Sequence, residues 1–140
     1  MKRTTLALAL AWILLTSGCA SLHAAKAPNT DLSSLKTFYV ARLPADQRGV
    51  DQLISDRLNR MGRQATAGSE PSPPAPVDAI VTYQDRWNWD MTMFMIELNI
   101  QIRDGTTRAI VAKGQSIRPS LERRSPEGMV DEVIQEIFKQ

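Results

Sequence analysis

The 140-residue sequence has one cysteine, one histidine and little excess charge, with 17 Lys+Arg against 15 Asp+Glu. A single cysteine excludes an internal disulfide framework and any CxxC-type zinc site. One histidine, His23, leaves no material for a histidine cluster. No GxGxxG, Walker A, GxSxG, HExxH or EF-hand pattern occurs, so no specific motif argues for an enzyme or a cofactor. There is no internal repeat. The longest unbroken apolar run, Leu6 to Leu15, has ten residues. A bilayer core of about 30 Å needs about 20 in a helix. The 43% hydrophobic content is ordinary for a folded chain and argues against wholesale disorder.

What is present begins with MKRTTLALALAWILLTSGC. Lys2 and Arg3 form a positive n-region, and Leu6 to Leu15 suit a signal-peptide h-region. Thr16-Ser17-Gly18-Cys19 then resembles the bacterial lipobox, with Thr16 where leucine is usual. In that motif the cysteine thiol receives a diacylglycerol and the signal is cut before it. The competing reading is a secreted chain cut by ordinary signal peptidase near Ala20-Ser21-Leu22. Two or three acyl chains on Cys19 anchor a protein essentially permanently, since each buried CH₂ contributes about 0.8 kcal/mol. Ala20, not Asp, follows the cysteine. In enteric-type sorting that implies the outer membrane, periplasmic face, with the inner membrane as the alternative. Removing residues 1–18 takes away Lys2 and Arg3. The remaining 15 cations then face 15 anions, and no nucleic-acid reading survives that balance.

The expected organisation is a signal segment (1–18), a lipidated Cys19 with a flexible tether (19–34), and one α+β domain (35–140). His23 reads as a solvated tether residue. Thr37 to Ala41 is β-rich. Val50, Leu53, Ile54, Leu58 and Met61 recur at helical spacing, and Gly62 supplies a stop. Gln64-Ala65-Thr66 suits a short strand. Residues 68–76, GSEPSPPAP, hold four prolines in nine positions and form an exposed loop.

Residues 77–103 are the most informative. Val77, Ala79, Val81 and Tyr83 alternate with mostly polar residues. Further on, Phe94, Ile96, Leu98, Ile100 and Ile102 alternate with Met93, Met95, Glu97, Asn99 and Gln101. Facing residues of an antiparallel pair share a sheet face, so paired numbers must have an odd sum. A four-residue turn at Asn88–Met91 pairs Tyr83 with Ile96, Val81 with Leu98, Ala79 with Ile100 and Val77 with Ile102. It places Thr82 opposite Glu97 and Asp78 opposite Gln101. Met93 and Met95 then point away from the covered face.

Asp104-Gly105-Thr106-Thr107 marks a second turn. In the strand Arg108 to Arg118, Ile110, Ala112 and Gly114 face inward, the small residues admitting a helix closely. Ser125, Pro126 and Glu127 start a last helix, with Val130, Val133, Ile134, Ile137 and Phe138 as its buried stripe. The order β-α-β-β-β-β-α predicts a two-layer α+β sandwich. It has a mostly antiparallel sheet of four to five strands with two helices on one face.

Two surface features stand out. Trp87, Trp89, Met91, Met93 and Met95 crowd one hairpin tip, a composition suited to a protein or membrane contact. The plainer reading is local packing or self-association. Arg118, Arg123 and Arg124 cluster before the last helix and match phosphate geometry, as for an anionic-lipid contact; a solvated loop is the plainer reading. Asp85 and Glu97 fall on opposite sheet faces, a poor pair for acid–base chemistry.

The segments VDAIVTYQDRWNWDMTMFMIELNIQIRD, VAKGQSIRPSL and SPEGMVDEVIQEIF resemble small uncharacterised proteobacterial lipoproteins. The resemblance spans roughly residues 35–138 and carries over no catalytic residue. The expectation is a non-enzymatic envelope lipoprotein without cofactor or metal. It would bind an envelope protein partner or support assembly, and would meet the membrane through its anchor, as a monomer or a homodimer. The alternative is a carrier holding a lipid or other apolar ligand between sheet and helices.

Overall fold

Val50, Ile54 and Leu58 put one apolar stripe along helix α1 (Val50–Arg60), and all three are buried. Gly49, at φ 72°, turns the chain into the helix without a side-chain cap of its own. Asp46 does that work from upstream. Its carboxylate accepts the backbone N–H groups of Arg48, Gly49 and Val50 at 2.7, 3.0 and 2.7 Å. Gly62 ends the segment at φ 81°, as the sequence predicts. Helix α2 (Pro126–Lys139) starts as expected, with the Ser125 hydroxyl accepting from the Gly128 N–H at 3.0 Å and Pro126 in the first turn.

The computed structural model describes residues 19–140. The expected signal segment, 1–18, lies outside the described residues. Six strands form one sheet: β1 (Ser21–Lys26), β2 (Thr37–Ala41), β3 (Gln64–Gly68), β4 (Ala79–Asp90), β5 (Thr92–Asp104) and β6 (Ile110–Ile117). Their order is β1-β6-β5-β4-β2-β3. The β1–β6, β6–β5 and β5–β4 ladders are antiparallel, whereas β2 runs parallel to both β3 and β4. The fold is α+β, as expected, with a mixed sheet and more strands than the four to five expected.

The additional strand is β1. Its sequence, SLHAAK, has no strong β signal, and it reads in isolation as part of the tether. Every residue of it pairs with β6, from Ser21 opposite Ile117 to Lys26 opposite Ala112. The edge of β6 supplies the partner groups, so tertiary pairing overrides a weak local preference.

One core fills the space between sheet and helices. Phe38 and Val40 of β2, Val81 and Tyr83 of β4, and Leu98, Ile100 and Ile102 of β5 meet Ile54, Leu58, Met129, Val133, Ile134 and Ile137 of the helices. Each such side chain contributes about 1.5–3 kcal/mol by leaving water. Gly114 lets α2 approach as the sequence predicts: a Cβ there would sit 2.8 Å from Ile137 Cγ1 and 2.9 Å from Val133 Cγ1. No helix among the described residues is long and apolar enough to cross a membrane.

The β4–β5 hairpin keeps the expected parity but not the expected register. Tyr83 faces Ile100, Val81 faces Ile102 and Ala79 faces Asp104. Thr82 faces Gln101, and Glu97 faces Arg86. The turn is the cause. The strands continue through Trp89 and Asp90, and Met91 alone makes the reversal at φ 61°. A tighter turn placed further along moves every pair, and one extra residue, Ile96, adds the last step and restores the parity.

Two bulges correct the facing of individual residues. Between Arg86 and Trp87 the register shifts, so that Trp87 pairs with Met95 and Ile96 is the extra residue. Met95 therefore turns into the core, fully buried, rather than away from it. A second shift between Ile102 and Arg103 leaves Val111 as the extra residue of β6. Ile110 thereby loses its expected inward position and is 42% exposed.

Candidate functional site

Beyond the Arg86–Glu97 pair, β4 and β5 leave their neighbours and run on as a two-stranded arm. Trp87 is opposite Met95, Trp89 opposite Met93 and Asp90 opposite Thr92. The five expected tip residues divide at this point. Met95 belongs to the core, and Trp87 packs half-buried against it. Trp87 Nε1 donates to Asp85 Oδ2 at 2.6 Å, and the Arg48 guanidinium lies 4.2 Å from its ring centre. Trp89, Met93 and Met91 are exposed, at 68, 45 and 88%.

The other face of the arm carries Phe94, which is buried without belonging to the main core. Its cover is Arg123, whose guanidinium lies 4.3 Å from the ring centre. The same guanidinium donates to the Asp90 carbonyl at 2.8 Å, to Asp90 Oδ2 at 3.1 Å and to Thr92 Oγ1 at 2.8 Å. It also holds the Ser120 carbonyl at 3.0 Å, and the Ser120 hydroxyl donates to Asp90. The short helical turn Ser120–Glu122 is thus fixed against the arm. Its Leu121, which the sequence reading passed over, is 94% exposed.

The three arginines expected to meet anionic lipid all engage carboxylates of this chain. Arg118 grips Glu132 through Nε at 3.0 Å and Nη2 at 2.5 Å, and Arg124 Nε reaches the same carboxylate at 2.9 Å. Burial pushes the Glu132 carboxyl up, but these cations and the Ser116 hydroxyl outweigh it and hold it below the usual glutamate range. Arg123 pairs with Asp90.

Asp85 and Glu97 lie on opposite faces, as expected. Glu97 is the centre of a polar patch on the uncovered face, where it accepts from Asn99 at 2.9 Å, Gln115 at 2.8 Å and Arg86 at 2.6 Å. These bonds hold its carboxyl below the usual value. A shallow groove of about 430 Å³ beside it is lined by His23, Asn99, Gln101, Lys113 and Gln115. Among the described residues, no group of three His, Cys, Asp or Glu side chains gathers to hold a metal ion.

Cys19 is exposed, two residues ahead of β1. Ser21 is opposite Ile117, which is opposite Glu97. Strand β1 therefore runs parallel to β5 and starts where the arm leaves the sheet. Followed backwards from Ser21, the chain heads the same way as the arm. The anchor position and the exposed arm share one end of the molecule.

No family model matches the chain, and no curated protein does. Solved structures share its fold. PelC from Paraburkholderia phytofirmans, a dodecamer, superposes with TM-score 0.63 at 10% identity, covering 84% of this chain and 96% of PelC. A second crystal form of that dodecamer gives 0.60 at 10% identity, covering 86% and 99%. A PDZ domain protein from Parabacteroides distasonis gives 0.51 at 11% identity, covering 90% of this chain and 37% of that one.

Proposed function

We propose that the chain is a lipoprotein of the bacterial outer membrane, facing the periplasm and related to the small proteobacterial lipoproteins it resembles. It acts as a non-catalytic binding or assembly-support module, and its mechanism is tethering. An acylated Cys19 confines the domain to the membrane surface and so raises its local concentration near envelope partners. The observation that carries this reading is the lipobox-like cysteine standing two residues before a paired strand. One residue, Ala20, stands between Cys19 and the first ladder residue, Ser21, so the link holds the domain at the bilayer.

The filled interface between sheet and helices favours this reading over a carrier of apolar ligands. The groove on the open face mixes His23, Asn99, Gln101, Lys113 and Gln115 with Ala24, Ala25 and Ile100, and it is open rather than an enclosed apolar cavity. Self-association is one form such a module can take. PelC, with the same fold, forms dodecamers, and this sheet ends in two edge strands, β1 and β3. Photo-crosslinking in cells from positions 84 and 115 of the open face tests the proposal. A discrete adduct with an envelope protein or a second copy is expected. Absence of any adduct, with the protein in the soluble periplasmic fraction, would contradict it.

A further inference from the structure

We propose that the arm tip is a second membrane-contacting element, with Trp89, Met91, Met93 and Leu121 seated in the bilayer interface beside the anchor. The inference rests on the anchoring proposed above.

Three independent observations lead there. The first is clustering. Five large apolar side chains are strongly exposed among the described residues, and four of them are on the arm or on the turn that Arg123 and Ser120 fasten to it. Such a patch marks a contact surface.

The second is position. The apolar N-terminal run leads to Cys19, and Cys19 leads into β1 at the end where the arm leaves the sheet. Ser21 is level with Glu97 through Ile117, so two residues of extended chain back to Cys19 reach about the level of Met95, and Met91 lies four residues further along. At about 3.3 Å per residue the tip reaches roughly 13 Å past that level. A domain held at the bilayer through Cys19 by so short a link brings the tip to the interface. Interfacial elements bury their apolar faces about 5–10 Å into the headgroup boundary.

The third is local strain. Met91 turns the hairpin at φ 61°, a conformation that favours glycine. Folding alone is better served there by a residue without a side chain. The chain instead has a long apolar one, almost fully exposed. Trp and Met suit a bilayer interface, because the indole joins an apolar body to a polar N–H and methionine fills irregular gaps.

The charges nearby set the lipid chemistry. Arg86, Arg118, Arg123 and Arg124 are each paired with a carboxylate, Glu97, Glu132, Asp90 and Glu132. Arg48, exposed beside the Trp87 ring, adds one cation at this end, but the tip residues themselves carry no charge, so their attraction to the bilayer is apolar and does not require anionic lipid.

The test uses the full chain purified from membranes and reconstituted in phosphatidylcholine vesicles, some containing lipids brominated near the top of the acyl chains. Cut before Cys19 the chain keeps two tryptophans, so Trp87→Phe leaves Trp89 as the emitter, and Trp89→Phe reports Trp87 for comparison. The expected result is co-flotation with vesicles and loss of Trp89 emission in brominated lipid. Met91→Gly and Leu121→Ser should each reduce that loss. Flotation without quenching of Trp89 would overturn the tip contact and leave the anchor standing. A crosslink from position 89 to a protein would point to a protein partner instead and also overturn it. Failure of both the wild type and Cys19→Ala to float would overturn the anchor, and the tip contact with it.

Discussion

The guanidinium carbon of Arg123 lies 4.3 Å from the ring centre of Phe94, while its nitrogens hold Asp90, Thr92 and Ser120. One side chain therefore covers the ring and fastens the Leu121 turn to the arm. Lysine cannot reproduce this, because it lacks the planar fork. Both Arg123→Lys and Arg123→Ala should lower stability by about 1 kcal/mol. Limited proteolysis should then cut first between residues 119 and 125. An unchanged cleavage pattern would mean that the turn is held by other contacts.

Asp46 and Tyr83 tie the start of α1 to the sheet. The Tyr83 hydroxyl donates to Asp46 Oδ2 at 2.6 Å and accepts the Leu43 N–H at 3.2 Å. Burial raises the Asp46 carboxyl, but the Tyr83 hydroxyl and the helix N–H groups outweigh it and hold it below its usual value. The Tyr83 hydroxyl is pushed up, by burial first and then by Asp46. Asp46→Ala should cost about 2 kcal/mol, since it removes a helix cap and leaves a buried hydroxyl without its acceptor.

The same carboxylate sets part of the acid response. Asp46 and Glu132 both have lowered folded-state values, so the unfolded chain takes up their protons first as pH falls. Their contribution is complete above the ordinary carboxylate range, near pH 4, and is lost as pH falls through the folded values. Urea midpoints measured from pH 7 to pH 3 should drop at the acid end. Asp46→Asn and Glu132→Gln should each flatten that drop, and an equally steep profile would reject the assignment.

Gly114 is needed for close approach, not for a special backbone angle. Its added methyl would press on Val133 and Ile137. Gly114→Ala should destabilise by about 1–3 kcal/mol through overpacking. Val133→Ala in the same chain should recover part of that loss in thermal denaturation.

Met91→Gly should act in the opposite direction. Relief of the left-handed conformation should raise stability by roughly 0.5–1 kcal/mol. A rise in melting temperature combined with weaker bilayer contact would separate the two roles of this residue.

Most of the layer architecture is legible in the residues. The α2 start is written in Ser125 and Pro126, the α1 stop in Gly62, and the close helix approach in Gly114. Register parity is legible too, because burying one face of β4 fixes it. The register itself depends on where the chain reverses, and a methionine at positive φ gives no local turn signal. The facing of Met95 and Ile110 escapes sequence patterning for a related reason. A bulge inserts one residue and inverts the facing of the strand on its far side, here Met95 and Ile110, yet Ile96 and Val111 look like ordinary strand residues. Strand β1 escaped because its pairing is set by the β6 edge rather than by its own composition. At the arm, the tryptophans and methionines were visible as a cluster. Leu121 and Arg123 joined it only through contacts about thirty residues away.

The central claim is that Cys19 anchors the domain to a membrane. Labelling growing cells with radioactive palmitate, for the wild type and Cys19→Ala side by side, tests it most directly. The expected result is label on the wild-type protein at the mass of a chain cut before Cys19, and none on the variant. Equal labelling of the two, or an unlabelled wild type cut elsewhere, would contradict the anchor.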